Sequence, residues 1–428
     1  MAPHLVNGIP PRLSMWQRVR AYAVPPSMIE TCTARRAAGD WAGACAAARV
    51  DVDLDLRAVR RRHGSDLART LQADLRCLAP DLLRWHLPRI APDGRLRPAL
   101  TVALARYGPL RLVVRTPPAS ADGGQRLSLS LWEGPGTGPG RPHPHPHPAR
   151  RFRLDLHRHL WDAGRAPELA VRARAGWAVD AELLLRAERR SPRGAFTVRR
   201  AAREHDVLEL LAPDDSHAPV CRPVREVLPA QVVAALPVLP EAAARPLPDL
   251  ELLRAGLVTA DRLHPLVGAA LGGVGTGAAV GPVADPGDPH RVECRGEVHR
   301  IALRDGVLVA VDHDPGQLRR EELLVALGGP GLPCLRAIDA VHHRPEALPA
   351  VRERLLHGDG AGALRVVEGL LGSGAVLRDG ALREELESAA GRLVGHGLFR
   401  AGLDAAPPFP GCPPADGRWG FSRSSPRP

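Results

Sequence analysis

The chain has no lysine: all 58 of its basic residues are arginine, set against 47 acidic ones for a formal net charge of +11. Arginine holds its charge at any physiological pH and grips carboxylate or phosphate through a planar fork, so a basic surface of this kind attracts anions. The arginines are nevertheless interleaved with acids. Their densest runs, among them Arg60-Arg61-Arg62, Arg150-Arg151 and Arg189-Arg190, read as solvated faces. Aromatic residues make up only 3% of the chain, so the stacking platforms that single-stranded nucleic acid needs are missing. Arg, Ala, Gly and Pro all have GC-rich codons, and their joint excess discounts the charge further. Nucleic acid is therefore not the favoured partner. Few aromatics also mean that the cores must be built from Leu, Val and Ala.

Cysteine is sparse and scattered. The seven residues (32, 45, 77, 221, 294, 334 and 412) are odd in number and never in C-x-x-C spacing. That pattern argues against a disulfide framework or a zinc knuckle and fits reduced thiols in the cytoplasm. The N-terminus carries Arg12, Arg18 and Arg20 but no apolar stretch, so no signal peptide is expected. Residues 265–284 are uncharged and long enough to cross a bilayer, but they hold six glycines and two prolines and read as a glycine-rich loop. No membrane partner is expected.

Catalytic signatures are also missing. There is no G-x-x-x-x-G-K-[ST], no H-E-x-x-H and no G-x-S-x-G. Asp51-x-Asp53-x-Asp55 lacks the glycine and the bidentate glutamate of a calcium loop, because Leu56 and Arg62 stand at those places. His143, His145 and His147 alternate with proline, and polyproline geometry points neighbouring histidines in different directions. Gly273-Val-Gly275-Thr-Gly277-Ala278 fits G-x-G-x-x-A, but a helix precedes it where a nucleotide fingerprint needs a strand. His205-Asp206 and His313-Asp314 match metal phosphohydrolase His-Asp pairs only as dipeptides that arise by chance; the second reads as a turn start and His342-His343 as a helix start. The sequence therefore nominates no catalytic, cofactor-binding or metal-ligating residue.

What is present is an α+β pattern with five parts. Residues 1–95 read as a helical N-terminal region. Residues 96–225 read as a β-rich region interrupted by a disordered Pro-His insert at 134–148, with helices at Ala178–Arg189 and Ala201–Leu211. Residues 226–290 read as an Ala/Pro/Gly-rich linker with short helices, and 404–428 as a disordered tail. The part at 291–403 has the clearest architecture. Two β-rich runs flank Arg304-Asp305-Gly306, a hairpin signal, and the valines of Val307, Val309 and Val311 predict the buried face of the second strand. A helix over Gln317–Leu327 ends at Gly328-Gly329.

Two helical hairpins share one turn. Gly39-Asp40-x-x-Gly43-Ala44 and Gly358-Asp359-x-x-Gly362-Ala363 match as G-D-x-x-G-A. Glycine closes the first helix in a left-handed conformation and aspartate caps the second. Leu348, Val351 and Leu355 line one helical face of the second hairpin; Leu364, Val367 and Leu371 line the other. Trp41, Trp85, Arg352 and Arg365 are the candidate contact residues for another protein.

The runs Met28-Ile-Glu30 through Asp40-Trp41, Ala79 through Pro88, and Arg319 through Gly329 resemble a family of uncharacterised actinobacterial proteins, Streptomyces-like in composition. The resemblance implies bacterial origin and cytoplasmic placement and brings no activity. The expectation is a non-enzymatic interaction or regulatory protein. An enzyme assembled from distant residues and an arginine-mediated nucleic-acid binder are the alternatives.

Overall fold

The computed structural model describes residues 10–134, 143, 145, 147–172, 176–191, 193–201, 204–211, 219–271, 291–294, 297–304, 307–329, 332–343, 347–372 and 376–403. Strand β1 (Val50–Asp53) joins the N-terminal helices to the rest of the chain. A short hairpin of β2 (Arg89–Ile90) and β3 (Arg95–Leu96) follows, and then the antiparallel run β4 (Thr101–Tyr107), β5 (Leu110–Arg115) and β6 (Leu127–Trp132). β1 lies parallel to β6, with Val50 opposite Leu127, giving the order β1-β6-β5-β4. Leu104, Leu112 and Leu129 are fully buried, and so are Ala103 and Val113 on the opposite face. A sheet covered on both sides explains why these runs are apolar rather than alternating.

The helices Pro26–Ala37, Trp41–Ala47, Ser65–Cys77 and Pro80–His86 share one core with the face that carries Leu104, Leu112 and Leu129. Every residue from Pro80 to Trp85 is buried. The Val50–Leu56 alternation forms a strand only as far as Asp53, because Asp55 caps the next helix by accepting from the N–H groups of Arg57 and Ala58. Asp51 pairs with Arg126 and Asp53 with Arg400, so the three carboxylates serve three separate partners.

A second core gathers on β7 (Gly194–Arg199), β8 (His205–Leu211) and β9 (Val220–Pro223), with the Trp177–Ala187 helix against them. Ala201–Leu211 was expected as a helix and is instead largely the strand β8. Pairing with β7 places Leu208 and Leu210 beside Phe196 and Val198, and tertiary burial overrides a short, ambiguous local pattern. The region expected as a linker is core in part. Leu252 of the Pro248–Arg254 helix and Val267 of the Pro265–Leu271 helix are fully buried in the first core. His264 reaches back to Asp81 at 2.8 Å.

The third unit is a meander of β10 (Arg291–Cys294), β11 (Glu297–Arg304) and β12 (Val307–Ala310). Arg304 stands opposite Val307 as expected, and Asp305-Gly306 lies outside the described residues. The buried face of β12 carries Leu308 and Ala310, whereas Val309 and Val311 are only half-buried. Leu308, Ala310 and Ile301 meet the Pro333–His343 helix, which decides the matter. The Pro315–Ala326 helix is capped by Asp314 but buries no residue of its own.

The helical hairpins form as the shared letters predict. Gly39 and Gly358 have φ of +75° and +80°; Asp40 and Asp359 accept from the N–H groups of Gly43 and Gly362 at 2.8 and 3.1 Å. An arginine five residues earlier also recurs: Arg35 donates to Asp40 at 3.0 Å and Arg354 to Asp359 at 2.7 Å. Leu348, Val351 and Leu355 are buried, and so are Val367 and Leu371, whereas Leu364 is exposed and Ala363 takes its place inside. The two ends of the chain pack together. Arg49 donates to the His357 carbonyl at 2.5 Å, and His396, in the Ala381–Ala401 helix, reaches the Ala121 carbonyl at 2.9 Å. Among the described residues no helix is long and apolar enough to cross a membrane. Of the Pro-His segment, His143 lies 2.8 Å from the Thr116 carbonyl and Thr101 donates to the His145 carbonyl at 2.5 Å. Residues 135–142, 272–290 and 404–428, with the expectations that fall on them, lie outside the described residues.

Candidate functional site

Proline punctuation shapes a cavity around residues 86–89. Pro80 opens the Pro80–His86 helix, and Pro88 forces Leu87 into an extended conformation, ψ 151°, which ends it. His86 is thus the last helical residue, and Arg89 follows at once in β2. Both line a cavity of about 240 Å³. Its walls come from four distant stretches: Met15 and Trp16 of the Pro11–Arg18 helix, Leu87, Phe152 to Leu160, and Glu241 to Pro248. Trp16 packs on Trp85 with ring centroids 5.2 Å apart.

Most of the charged groups around the cavity are already paired. Arg12 reaches Glu251 at 2.9 Å; Arg153 reaches Asp155 at 2.8 Å and Glu188 at 2.7 Å; Arg245 lies 3.5 Å from Glu241. Arg89 differs. It donates to the carbonyls of Gly94 at 2.9 Å and Arg84 at 2.5 Å, and its buried Nε has no hydrogen-bond partner. Burial first, and the Arg49 charge second, pulls the Arg89 guanidinium down to about 9. An anion beside it would relieve that strain.

His86 supplies a second unpartnered polar atom, an acceptor. Its Nδ1 lies 3.1 Å from the carbonyls of Leu82 and Leu160, so the ring proton belongs there. Its Nε2 stands 3.7 Å from Asp249 Oδ2, an ion-pair distance but too long for a hydrogen bond, and is buried without a hydrogen-bond partner. Asp249 is fully buried and accepts the Trp85 indole N–H at 2.8 Å. Burial works to raise its pKa, but His86 and the Trp85 N–H outweigh burial and hold the carboxyl below its ordinary range.

The arrangement can bind and orient a small molecule: an apolar body against Trp16, Phe152 and Leu247, an acceptor group toward Arg89 and a donor group toward His86. No Ser, Thr, Cys or Tyr is among its described lining residues, and its one carboxylate, Glu241, is paired with Arg151 and Arg245.

Of the residues nominated from sequence, Trp85 is buried behind this cavity, and Trp41 is half-buried against the first core. Arg352 and Arg365 are exposed on the second helical hairpin, where Arg352 pairs with Glu385 at 2.5 Å. The four do not share a site. His86, Arg89 and Asp249 were not singled out, and only the prolines bracketing Pro80–Pro88 hinted at them. Cys294, His313 and Cys334, dispersed in sequence, converge into a cluster able to hold a metal ion. His205, by contrast, is exposed on β8, and Asp206 pairs with Arg200 at 2.5 Å. Comparison of the chain with protein-family models, curated proteins and solved structures finds no match.

Proposed function

We propose that the chain is a regulatory protein that binds a small molecule with an apolar body and a carboxylate or phosphate head. The observation that carries this reading is the half-open cavity lined by His86 and Arg89, whose Nε2 acceptor and Nε donor are buried without hydrogen-bond partners. A buried donor left unmade costs about 1–3 kcal/mol, which an acceptor on the ligand would recover. Binding is the reading that the apolar lining and the two unpartnered polar atoms support.

The test is a thermal-shift screen of amphipathic carboxylates and phosphates against the full chain. A ligand at 100 times its Kd should stabilise the protein by about 2.7 kcal/mol. Arg89→Gln should weaken binding, and Ala242→Trp, which fills the cavity from its wall, should abolish it. If no compound raises Tm, or if the filled variant responds as the parent does, the reading is wrong.

A second reading, contact with another protein, is supported by the Pro315–Ala326 helix. Only Leu318 packs in part against the small core, and Leu323, Leu324, Val325 and the following Leu327 are all exposed. Leu324→Glu should then break a complex captured from the host while leaving Tm unchanged. A complex that survives this change would remove that helix from consideration.

A further inference from the structure

Cys294 ends β10, His313 follows β12, and Cys334 sits in the first turn of the Pro333–His343 helix. Their ligand atoms all lie within 4.8 Å of one another, and His313 Nε2 is 3.4 Å from Cys334 Sγ. A tetrahedral zinc ion with Zn–S near 2.3 Å and Zn–N near 2.05 Å spaces its ligands by about 3.8 Å (S to S) and about 3.6 Å (S to N). The His313–Cys334 separation already matches that spacing, and the whole set stays within 4.8 Å. Both cysteines are buried, and His313 is half-buried. The His313 ring is held face to face with His299, centroids 4.0 Å apart and planes 18° from parallel. Side chains from two strand ends and a helix start thus converge on one point between the meander and the helix that covers it.

We propose that Cys294, His313 and Cys334 bind one thiolate-seeking divalent cation, zinc in the cell, and that the ion fastens the β10–β12 meander to the Pro333–His343 helix. Two thiolates and an imidazole select zinc over calcium or magnesium, which take oxygen ligands. On binding, each thiol gives up its proton to solvent while the imidazole enters neutral, so the uptake of one ion releases two protons. Three protein ligands leave a fourth position for water. The ion does here what a larger core does elsewhere: Cys294, Cys334, Ile301 and Leu308 belong to one small apolar cluster, and the bridge ties its two layers together.

The experiment is metal analysis and cobalt substitution on the full chain. The background variant carries alanine at His143, His145 and His147, so that the Pro-His segment contributes no metal. After equilibration with a weak chelator, the protein should retain about one zinc per chain. Cobalt exchange should give thiolate-to-metal charge-transfer absorption in the near ultraviolet and intense visible bands of a tetrahedral ion. Cys334→Ser and His313→Asn should each lower zinc affinity by at least about tenfold, whereas Cys221→Ser, outside the cluster, should leave it unchanged. Metal-free protein that takes up no zinc, a cobalt spectrum without thiolate bands, unaltered affinity in both cluster variants, or a Cys294–Cys334 disulfide found by peptide mapping would each overturn the proposal. Should the cluster variants fold poorly, removing zinc from the background protein remains decisive: it should lower Tm, and zinc alone should restore it.

Discussion

Asp40 and Asp359 do the same work in different surroundings. Each caps a helix and accepts an arginine from five residues back, but the Asp359 side chain is 8% exposed and that of Asp40 39%. A buried cap left empty strands an N–H that water cannot reach. Asp359→Ala should therefore cost about 1–2 kcal/mol and Asp40→Ala distinctly less, both read by urea denaturation. Equal losses would mean that burial contributes nothing to the cap. The letters G-D-x-x-G-A were enough to place both caps, because capping is a local interaction whose partners lie within a few residues. The arginines went unnoticed because their role depends on how far a long side chain folds back over the turn. Trp85 shows the limit of such reading. A lone tryptophan in a chain poor in aromatics reads as a contact residue, yet its indole N–H is spent on Asp249, 164 residues away in sequence.

The two turns also differ as elements. An alanine Cβ at Gly39 would meet nothing, whereas at Gly358 it would fall on the carbonyl of Gly124. Gly39→Ala should cost only the left-handed backbone penalty, about 1–2 kcal/mol. Gly358→Ala must also push the second hairpin off the sheet region, and it should cost more and expose the C-terminal helices to limited proteolysis. Identical proteolysis of the two variants would show that the close approach at Gly124 does not hold that interface together. Periodicity located most of the helices and the β4–β6 strands because each carries its own apolar pattern. It misjudged β8 and the inward face of β12, where the deciding contacts come from β7 and from the Pro333–His343 helix. The cavity was not legible at all. Its walls come from stretches near residues 15, 87, 154 and 247, and no local pattern encodes their meeting.

At the scale of the whole molecule, buried histidines set the response to acid. Burial first, and then the charges of Arg89, Arg84 and Arg49, pulls His357 from 6.5 down to about 3; burial and Arg172 bring His157 to about 4. A base whose folded pKa lies below its unfolded value binds fewer protons in the folded state, so stability is complete above pH 6.5 and falls as the pH drops from there toward 3 or 4. Asp51 adds to the loss lower down. Its carboxyl is held well below 3.8 by His396 and Arg126 despite partial burial, so its contribution is present above that pH and disappears beneath it. His357 lies where Arg49 of the N-terminal region meets the second hairpin, stacked on Tyr22 at 6.2 Å. Protonating it places a fourth positive charge among three guanidinium groups, so acid should loosen this junction between the two ends of the chain. His357→Phe keeps a ring of similar shape and cannot titrate. Parent and variant should unfold at similar urea concentrations at pH 8, and at pH 5 the variant should be the more stable by on the order of 1–2 kcal/mol. A difference that stays the same at both pH values would show that His357 does not carry the acid sensitivity. The loss would then fall to His157 and His159, both buried in the loop that carries part of the cavity wall.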